Sequence, residues 1–451
     1  ALAGGRQKVL SMIQAIYYRS QVAPQNFTPP RPPEWLAREP KAEYITIPPD
    51  AMREALWCIL ARKIDAIGVH GSGSLIAPER GAYRYTNAEA KEAFRNTVAT
   101  VIEPLGPMLL EVPERKPEIA ILQSFTNTIF APGQHPFGWG KGWNADLHLA
   151  LQYAGWQPSV MYEEHLFRGD ADHLKILFIP GLEVVHESLR KKLEELQASG
   201  MILVGDEFTC PALLPDWRIQ SVARRNSDPV GSKQALQRLG KSLKTDLAPI
   251  YRPAQAASNP DLIVRRRGSD NADYVFVIND KRIFGDYLGP WGLMTEKGVP
   301  NSGRVAVAHA AEAAYDLVKH RPLEFDSHDG KTHFKVDLAP GDGMIALLLP
   351  EALGEWKLSG PTVAQRGETL SVTATAALAS GGPATDAVLP FELVSTDGKG
   401  CRMPGGGFYA APGGTRKIAL PIPCDAAPGA GEITLHCLAT GKKFVFPISI
   451  Q

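Results

Sequence analysis

The first 115 residues alternate between short, mainly apolar runs and amphipathic segments. Lys8–Ala15 and Ile64–His70 have the length and composition of buried strands. Between them, apolar residues recur at helical spacing after Asp50, which we predict to be a helix N-cap. The Gly-rich loop Gly71–Ser74 follows the second strand, and another helix is predicted over about Asn87–Leu105. This order of elements is typical of a parallel α/β unit.

The same alternation continues through residues 116–250. Strands that alternate with helices predict a doubly wound open sheet. The predicted strands are Glu118–Gln123, Gln157–Met161, Leu174–Ile179 and Gly200–Val204, and the predicted helices are Asn144–Ala154 and Ser188–Ala198.

From residue 251 onward the pattern changes to β-structure. Antiparallel strands are predicted over Ala272–Asn279, Thr332–Leu338 and Met344–Leu349. Residues 353–451 contain an alternating run after Gly367 and a closing strand, Lys443–Ile450. Ala, Gly and Pro are dense in this tail, as in an immunoglobulin-like β-sandwich module attached by a linker.

Composition and charge exclude several classes of protein. The chain has 451 residues, enough for about three domains, with 48 Lys and Arg against 48 Asp and Glu. This balance argues against bulk nucleic-acid binding, and no apolar run approaches the ~20 residues that cross a bilayer. The basic run Arg265–Arg267 follows an apolar stretch, and we predict a solvated strand end there rather than a phosphate site.

The five cysteines give no metal site, because none has the paired spacing of a zinc motif. Cys58 and Cys210 are predicted to be buried small apolar residues. Two of Cys401, Cys424 and Cys437 could pair in an oxidising compartment, and their spacing does not decide which two. No glycine-rich nucleotide-binding motif links a strand to a helix, so we expect neither a cofactor nor a metal.

Several short sequence segments within residues 1–350, taken in order, resemble segments of family 42 glycoside hydrolases. Pro48–Trp57 and Ala61–Ile67 resemble the passage into the eighth strand of that family's barrel. Lys116–Leu122 looks like the opening of its flavodoxin-like trimerisation domain. Phe178–Leu182 and Ala198–Val204 look like the third and fourth strands of that domain.

The resemblance implies a multidomain α/β plus β fold. Residues 1–115 would be the C-terminal part of a (β/α)8 barrel, 116–250 the flavodoxin-like α/β domain, 251–352 an antiparallel β domain and 353–451 an immunoglobulin-like β-sandwich. A complete barrel needs about 250 residues. We therefore expect its other strands to come from a second polypeptide, a cleaved part or a further segment, and the family's trimerisation domain implies a homo-oligomer.

The family's chemistry predicts a site at the carboxyl ends of the strands. A retaining glycosidase needs two carboxyl groups, and the resemblance implies that the nucleophile ends the strand Lys8–Ala15. Gln14 stands there instead, and Glu34, Glu39 and Glu43 follow in a Pro-rich connector, where we expect solvated loop residues. The candidate substrate-binding residues at the strand ends are Gln14, Tyr17, Tyr18, Arg19 and His70. Their alternatives are structural: one tyrosine in the core, and His70 bonded to a backbone carbonyl.

A second candidate surface is the loop that contains Trp139 and Trp143 between glycines. Indole rings pack against the C–H faces of sugars, so these residues are candidates for substrate binding. The alternative is that they pin the loop to its own domain. Asp206 and Glu207, at a predicted strand end, form a further candidate pair of carboxylates.

These features favour a glycosidase acting on a β-linked sugar such as a galactoside. Two alternatives stay open: a carbohydrate-binding or scaffold protein that has lost the nucleophile, and an assembly subunit whose partner carries the rest of the barrel. The tail looks like modules of secreted bacterial enzymes, so we expect a secreted or periplasmic protein.

Overall fold

The computed structural model describes residues 7–18, 44–76, 88–131, 143–222, 228–288 and 294–451. The first unit contains strands β1 (Leu10–Gln14), β2 (Ile16–Tyr18), β3 (Tyr44–Thr46) and β4 (Ala66–His70), helices α1 (Pro49–Leu60), α2 (Gly73–Ile76), α3 (Ala88–Thr97) and α4 (Glu103–Glu111), and the π-helical segment Val98–Ile102 between α3 and α4. β1 pairs in parallel with β4, and the two strands predicted from Lys8–Ala15 and Ile64–His70 are thus confirmed as neighbours.

Helix α1 begins differently from the prediction. Its N-cap is Pro48, and Pro49 fills the first turn, where a missing N–H costs no helical hydrogen bond. Asp50 lies inside that turn, and its carboxylate accepts a hydrogen bond from the backbone N–H of Gly298. The predicted N-cap at Asp50 is therefore wrong, and its carboxylate links α1 to a distant strand.

The second unit is a parallel sheet between two layers of helices. Its strands are β5 (Ile119–Gln123), β6 (Ser159–Tyr162), β7 (Ile176–Phe178), β8 (Ile202–Gly205) and β9 (Trp217–Arg218), and its helices are α5 (Phe125–Phe130), α6 (Asn144–Tyr153), α7 (Glu163–Phe167), α8 (Glu187–Ala198) and α9 (Pro229–Asp246). The spatial order β6-β5-β7-β8-β9, with every pair parallel, is doubly wound and of the flavodoxin type. Separate apolar clusters cover its two faces.

The third unit packs two antiparallel sheets face to face. Its strands are β10 (Gln255–Ala257), β11 (Leu262–Gly268), β12 (Asp273–Asn279), β13 (Arg282–Leu288), β14 (Met294–Gly298), β15 (Asn301–Val307), β16 (Ala313–Asp316), β17 (Arg321–Pro322), β18 (Phe325–His328), β19 (Lys331–Leu338) and β20 (Gly343–Leu349). One sheet has the order β11-β12-β20-β16-β17, the other β10-β15-β19-β18, and β13 pairs with β14. Alternate residues of β19 point into the apolar layer between the sheets.

The tail is a sandwich of two sheets. Its strands are β21 (Leu353–Ser359), β22 (Val363–Ala364), β23 (Thr369–Leu378), β24 (Val388–Thr396), β25 (Gly407–Pro412), β26 (Thr415–Pro421), β27 (Gly429–Cys437) and β28 (Lys443–Ile450). One sheet has the order β21-β23-β26 and the other β22-β28-β27-β24-β25. Buried and exposed residues alternate along β23, as the sequence pattern predicts for a half-buried strand.

The tail is not attached as a separate module. One continuous cluster of buried residues runs from Trp57 in α1 through Tyr274 in β12 to Phe391 in β24. The Tyr274 hydroxyl donates to the carbonyl of Val388 and accepts from the N–H of the same residue, both at 2.7 Å. The expectation of a linker-tethered module is wrong, because the tail shares its core with the preceding units.

The basic run Arg265–Arg267 is also not a solvated strand end. Arg267 is 0% exposed, and its guanidinium donates at 2.6 Å to the carbonyl of Leu109 and at 2.6 Å to that of Val112, at the end of α4. The Arg266 guanidinium forms a buried ion pair with Asp273. Arg267 satisfies carbonyls that the helix leaves unpaired at its end, so this side chain joins the first unit to the third.

All five cysteines are free, so none of the three possible pairings among Cys401, Cys424 and Cys437 is formed. Cys437 is buried, whereas Cys401 and Cys424 are exposed. Cys210 is partly buried, and Cys58 on α1 keeps some accessible surface. The protein packed around the Cys58 thiol nevertheless raises its pKa to about 12. Among the helices that the structure describes, none combines the length and hydropathy that a bilayer-spanning helix requires.

Candidate functional site

Two polar side chains meet at the carboxyl ends of β1 and β4. Gln14 is the last residue of β1 and lies directly opposite His70, the last residue of β4. Both residues are exposed. The N–H of Ala15 donates to the His70 carbonyl at 2.8 Å, which holds the two strand ends together. Parallel pairing thus brings together two candidate residues that are 56 positions apart in the sequence.

The two faces of this pair of strands differ sharply. Ile13 packs with Met52 and Leu56 of α1 in a buried cluster. On the opposite face, Leu10 is 58% exposed and Met12 is 61% exposed. Helices on one face and apolar side chains on the other are the arrangement of strands in a (β/α)8 barrel, whose interior is filled by such side chains.

The loop after His70 is a packed turn. Gly71 has φ +73°, and a Cβ there would lie 2.6 Å from Cγ1 of Ile16. Ser74 is buried at the start of α2, and its hydroxyl donates to the Ala15 carbonyl at 3.3 Å. Glycine at position 71 therefore lets the chain turn closely over β2, which fixes where His70 is presented.

Of the other candidate residues on this edge, the structure gives a backbone position for two tyrosines and does not describe the rest. The backbones of Tyr17 and Tyr18 lie in β2 and pair antiparallel with Ile45 and Tyr44 of β3. Further candidates lie outside the described residues, namely Arg19, Glu34, Glu39, Glu43 and Trp139. The structure thus brings Gln14 and His70 together and gives the tyrosines a backbone position beside them.

Trp143 belongs to the interior of the parallel-sheet unit. Its side chain is 4% exposed and packs with Leu147 and Ile176 in one of the two apolar clusters. The indole Nε1–H donates to Oδ2 of Asp206 at 2.8 Å. The buried ring presents no open face to a sugar, so Trp143 has the structural role that was the alternative to substrate binding.

Asp206 and Glu207 do not form a pair of catalytic carboxylates. Asp206 is 0% exposed and accepts hydrogen bonds from Trp143, from the N–H of Gly181 at 2.6 Å and from the N–H of Phe208 at 2.9 Å. Glu207 turns away and accepts from the hydroxyl of Ser221 and from its N–H at 3.0 Å. The hydroxyl bond above all keeps the pKa of the Glu207 carboxyl below the usual value despite partial burial. Asp206 is an anchor for three loops, and the hypothesis of a carboxylate pair is wrong.

The sequence analysis missed a polar network at the carboxyl edge of the parallel sheet. Ser124 follows β5 and Glu163 follows β6, and the Ser124 hydroxyl donates to the Glu163 carboxylate. His186 lies 2.8 Å from the other carboxylate oxygen through Nε2, and Ser188 lies 2.7 Å from Nδ1. The rule that polar side chains gather where parallel strands end would have identified Ser124 and Glu163.

The hydrogen bonds of His186 define the role of this network. The backbone N–H of Leu189 donates to Nδ1 at 3.1 Å, so Nδ1 is the acceptor and Nε2 carries the hydrogen that Glu163 accepts. His186 is thereby the N-cap of α8. Both ring nitrogens are engaged, Nδ1 at the start of α8 and Nε2 with Glu163, and the network is structural.

The part of the chain that the structure describes offers no set of side chains that could bind a metal ion. No group of three or more His, Cys, Asp or Glu side chains is arranged there to hold an ion. At the β1–β4 edge, Gln14 and His70 offer hydrogen-bonding groups. Such groups are suited to holding hydroxyl-rich ligands and not to forming a glycosyl ester.

Comparison with known proteins gives similarity at the level of structure alone. No protein-family model matches the sequence. No curated protein matches it either. Solved structures to which the chain is similar include several glycoside hydrolases.

Three of these are as follows. The α-L-fucosidase isoenzyme 2 from Paenibacillus thiaminolyticus is 10% identical with a TM-score of 0.45, over 68% of this chain and 58% of that chain. A family 42 β-galactosidase from G. stearothermophilus is 14% identical with a TM-score of 0.45, over 68% and 52%. The β-galactosidase from Bacillus circulans sp. alkalophilus is 11% identical with a TM-score of 0.48, over 77% and 56%. The chain thus spans between 52% and 58% of the length of these three enzymes.

Proposed function

We propose that this chain is a carbohydrate-active protein built like a glycoside hydrolase, with its sugar site at the carboxyl ends of β1 and β4. The observation that carries the proposal is the pairing of Gln14 with His70, side by side and exposed at the end of two parallel strands. The carboxyl end of parallel strands is where barrel enzymes bind their substrates. The substrate that we propose is a β-linked glycoside of the galactoside type.

Gln14 and His70 hold the sugar in this proposal. An amide both donates and accepts hydrogen bonds, and an imidazole offers two ring nitrogens for hydrogen bonding, so the two side chains match neighbouring hydroxyl groups. Neither forms the ester intermediate of a retaining glycosidase, which needs two carboxyl groups about 5–5.5 Å apart. Hydrolysis therefore requires carboxylates from other strands of the barrel.

The exposed apolar face of β1 supports a partner that completes the barrel. Leu10 and Met12 point away from α1 and remain open to solvent in the described part of the chain. Apolar side chains and unpaired strand edges of this kind are stabilised when further strands pair beside them. We include in the proposal a second polypeptide or segment that supplies these strands.

A homo-oligomer is also part of the proposal. Helix α5 exposes three large apolar side chains at the edge of the parallel-sheet unit, namely Phe125, Ile129 and Phe130. An exposed apolar patch of this kind favours a protein interface. The mass of the purified protein in solution, measured by light scattering, tests this component independently of any sugar.

One observation favours a second function. Gln14 occupies the strand end at which the resemblance to family 42 implies a nucleophile. A chain that binds sugar there without a nucleophile would be a carbohydrate-binding or scaffold subunit. The two functions share the sugar site and differ only in turnover.

The test separates the two functions. Protein purified from its source is examined by mass spectrometry for a second polypeptide, then assayed with nitrophenyl β-galactoside, α-fucoside and α-rhamnoside. Turnover that requires the second polypeptide supports the hydrolase, whereas retained sugar binding without turnover supports the scaffold. Neither turnover nor binding, with a folded protein, would contradict both.

The matched variants are Gln14→Ala and His70→Ala, with Ser72→Ala on the neighbouring turn as control. The first two should weaken sugar binding, and Gln14→Ala should leave the thermal unfolding temperature unchanged, because Gln14 is exposed. The control should change neither quantity.

A further inference from the structure

A cleft of about 490 Å³ lies between helix α9, the end of α6 and the connection from β10 to β11. Its floor includes Leu262 and Val264, which are both buried. Its rim on the α9 side carries polar side chains, namely Gln234, Arg238, Lys241 and Lys244. The volume lies within the range of small-molecule sites, and the mixture of apolar floor and polar rim is typical of them.

Three cations follow one side of α9 at this rim. Arg238, Lys241 and Lys244 are spaced by three residues, so they lie along the same side of the helix and span about 9 Å of its axis. Like charges at this spacing repel one another, which destabilises the helix slightly when no counter-charge is present. The arrangement therefore has a free-energy cost that a bound anion would remove.

Lys233, on the same helix, is a cation that is held in place by ion pairs. Its ammonium lies 2.9 Å from a carboxylate oxygen of Asp261 and 3.0 Å from one of Asp280. In contrast, no carboxylate lines the cleft, and the described part of the chain gives Arg238, Lys241 and Lys244 no ion pair or side-chain hydrogen bond. The positive charge at the rim is left without a partner within the described protein.

We infer that this cleft binds an anionic saccharide, a sugar chain bearing carboxylate or sulfate groups. The cations would meet its charged groups, Gln234 its hydroxyls and the apolar floor its C–H faces. The choice of a saccharide over other anions rests on the proposed function, and the choice of an anion rests on the cleft alone. The site is separate from Gln14 and His70, so it would extend the sugar chemistry of the protein from neutral to acidic ligands.

The experiment is isothermal titration calorimetry on the full chain with three probes. Trigalacturonate is the acidic saccharide, galactotriose is its neutral match and tripolyphosphate is an anion without a sugar. Trigalacturonate should bind more tightly than either of the others, and its affinity should fall as salt screens the charges. No binding of trigalacturonate, or equal binding of tripolyphosphate or galactotriose, would overturn the inference.

A triple variant, Arg238→Gln with Lys241→Gln and Lys244→Gln, removes the charge and keeps residues that favour a helix. It should bind trigalacturonate at least about tenfold more weakly, since three charge contacts are lost. The control pair Lys191→Gln and Lys192→Gln on α8 should bind as the wild type does. Circular dichroism establishes that the triple variant is folded, and unchanged affinity in that folded variant refutes the assignment.

Variants at Gln14 and His70 distinguish this inference from the proposed function. Trigalacturonate binding that survives in Gln14→Ala and His70→Ala and is lost in the triple variant supports the cleft. If the wild-type chain also fails to bind neutral glycosides, the β1–β4 proposal falls while the cleft assignment stands.

Discussion

The indole N–H of Trp143 donates to the buried carboxylate of Asp206 at 2.8 Å, across the carboxyl edge of the parallel sheet. The same carboxylate accepts from the N–H of Gly181 in the loop after β7. One side chain at the end of β8 thus fixes the start of α6 and the turn after β7. Trp143, at the start of α6, is therefore held to the sheet.

Replacing Asp206 with Asn should lower the free energy of unfolding by about 2–3 kcal/mol, because an amide cannot accept from all the donors that the buried carboxylate serves. Urea unfolding followed by tryptophan fluorescence measures the change. Glu207→Gln is the control and should change the free energy by less than about 1 kcal/mol, since Glu207 bonds an exposed turn. Equal effects of the two variants would contradict the anchoring role.

Arg267→Met should be strongly destabilising, by about 3–5 kcal/mol, because it leaves the buried carbonyls of Leu109 and Val112 without donors. Arg402→Met removes an exposed arginine and should have little effect. The two variants are compared by thermal and urea unfolding. A stability loss below about 1 kcal/mol at Arg267 would show that the first and third units do not depend on this side chain.

His148 should make the protein less stable as the pH falls. Burial, together with the nearby charges of Arg62 and Arg265, lowers the pKa of His148 from 6.5 to about 3. Between these values the unfolded chain holds a proton that the folded chain lacks, so stability rises with pH through this window and is complete above pH 6.5. The slope from one such group is at most about 1.4 kcal/mol per pH unit.

His148→Gln should therefore flatten the fall in stability between about pH 6.5 and pH 4 relative to the wild type. Urea unfolding at several pH values measures the difference. His173→Gln, at an exposed histidine, is the matched substitution to which His148→Gln is compared. Parallel profiles for wild type and His148→Gln would refute the assignment.

Gly71→Ala should cost more stability than Gly181→Ala. Both glycines have positive φ, which costs a residue with a side chain about 1–2 kcal/mol. A Cβ at position 71 would collide with Ile16, whereas one at position 181 meets nothing within 4 Å. Thermal unfolding of both variants isolates the collision, and equal losses would mean that Ile16 moves aside without cost.

The parallel strands at the start of the chain were predictable because local patterns determine them. Apolar runs of strand length, with a helix between them, leave few arrangements, and parallel pairing then places Gln14 beside His70 without further information. The doubly wound sheet follows from the same alternation.

The environments of Arg265–Arg267 and Trp143 were not predictable in this way. The carbonyls that Arg267 satisfies belong to residues more than 150 positions earlier in the chain. A basic run that caps a distant helix end has the same local pattern as one exposed to water. Trp143 likewise lies next to glycines in sequence, and only the tertiary contact with Asp206 shows that it is buried.

The core shared by α1, β12 and the tail has a consequence for synthesis of the protein. Residues 353–451 leave the ribosome after α4 and β12, yet β24 and β25 cover apolar side chains of α4, and β24 bonds Tyr274 of β12. Those surfaces stay open to solvent until translation of the tail is finished, and nascent chains in that condition aggregate readily. A chaperone that shields α4 and β12 during translation would therefore help this chain to fold. It would help less a protein in which each domain completes its own core before the next one is synthesised.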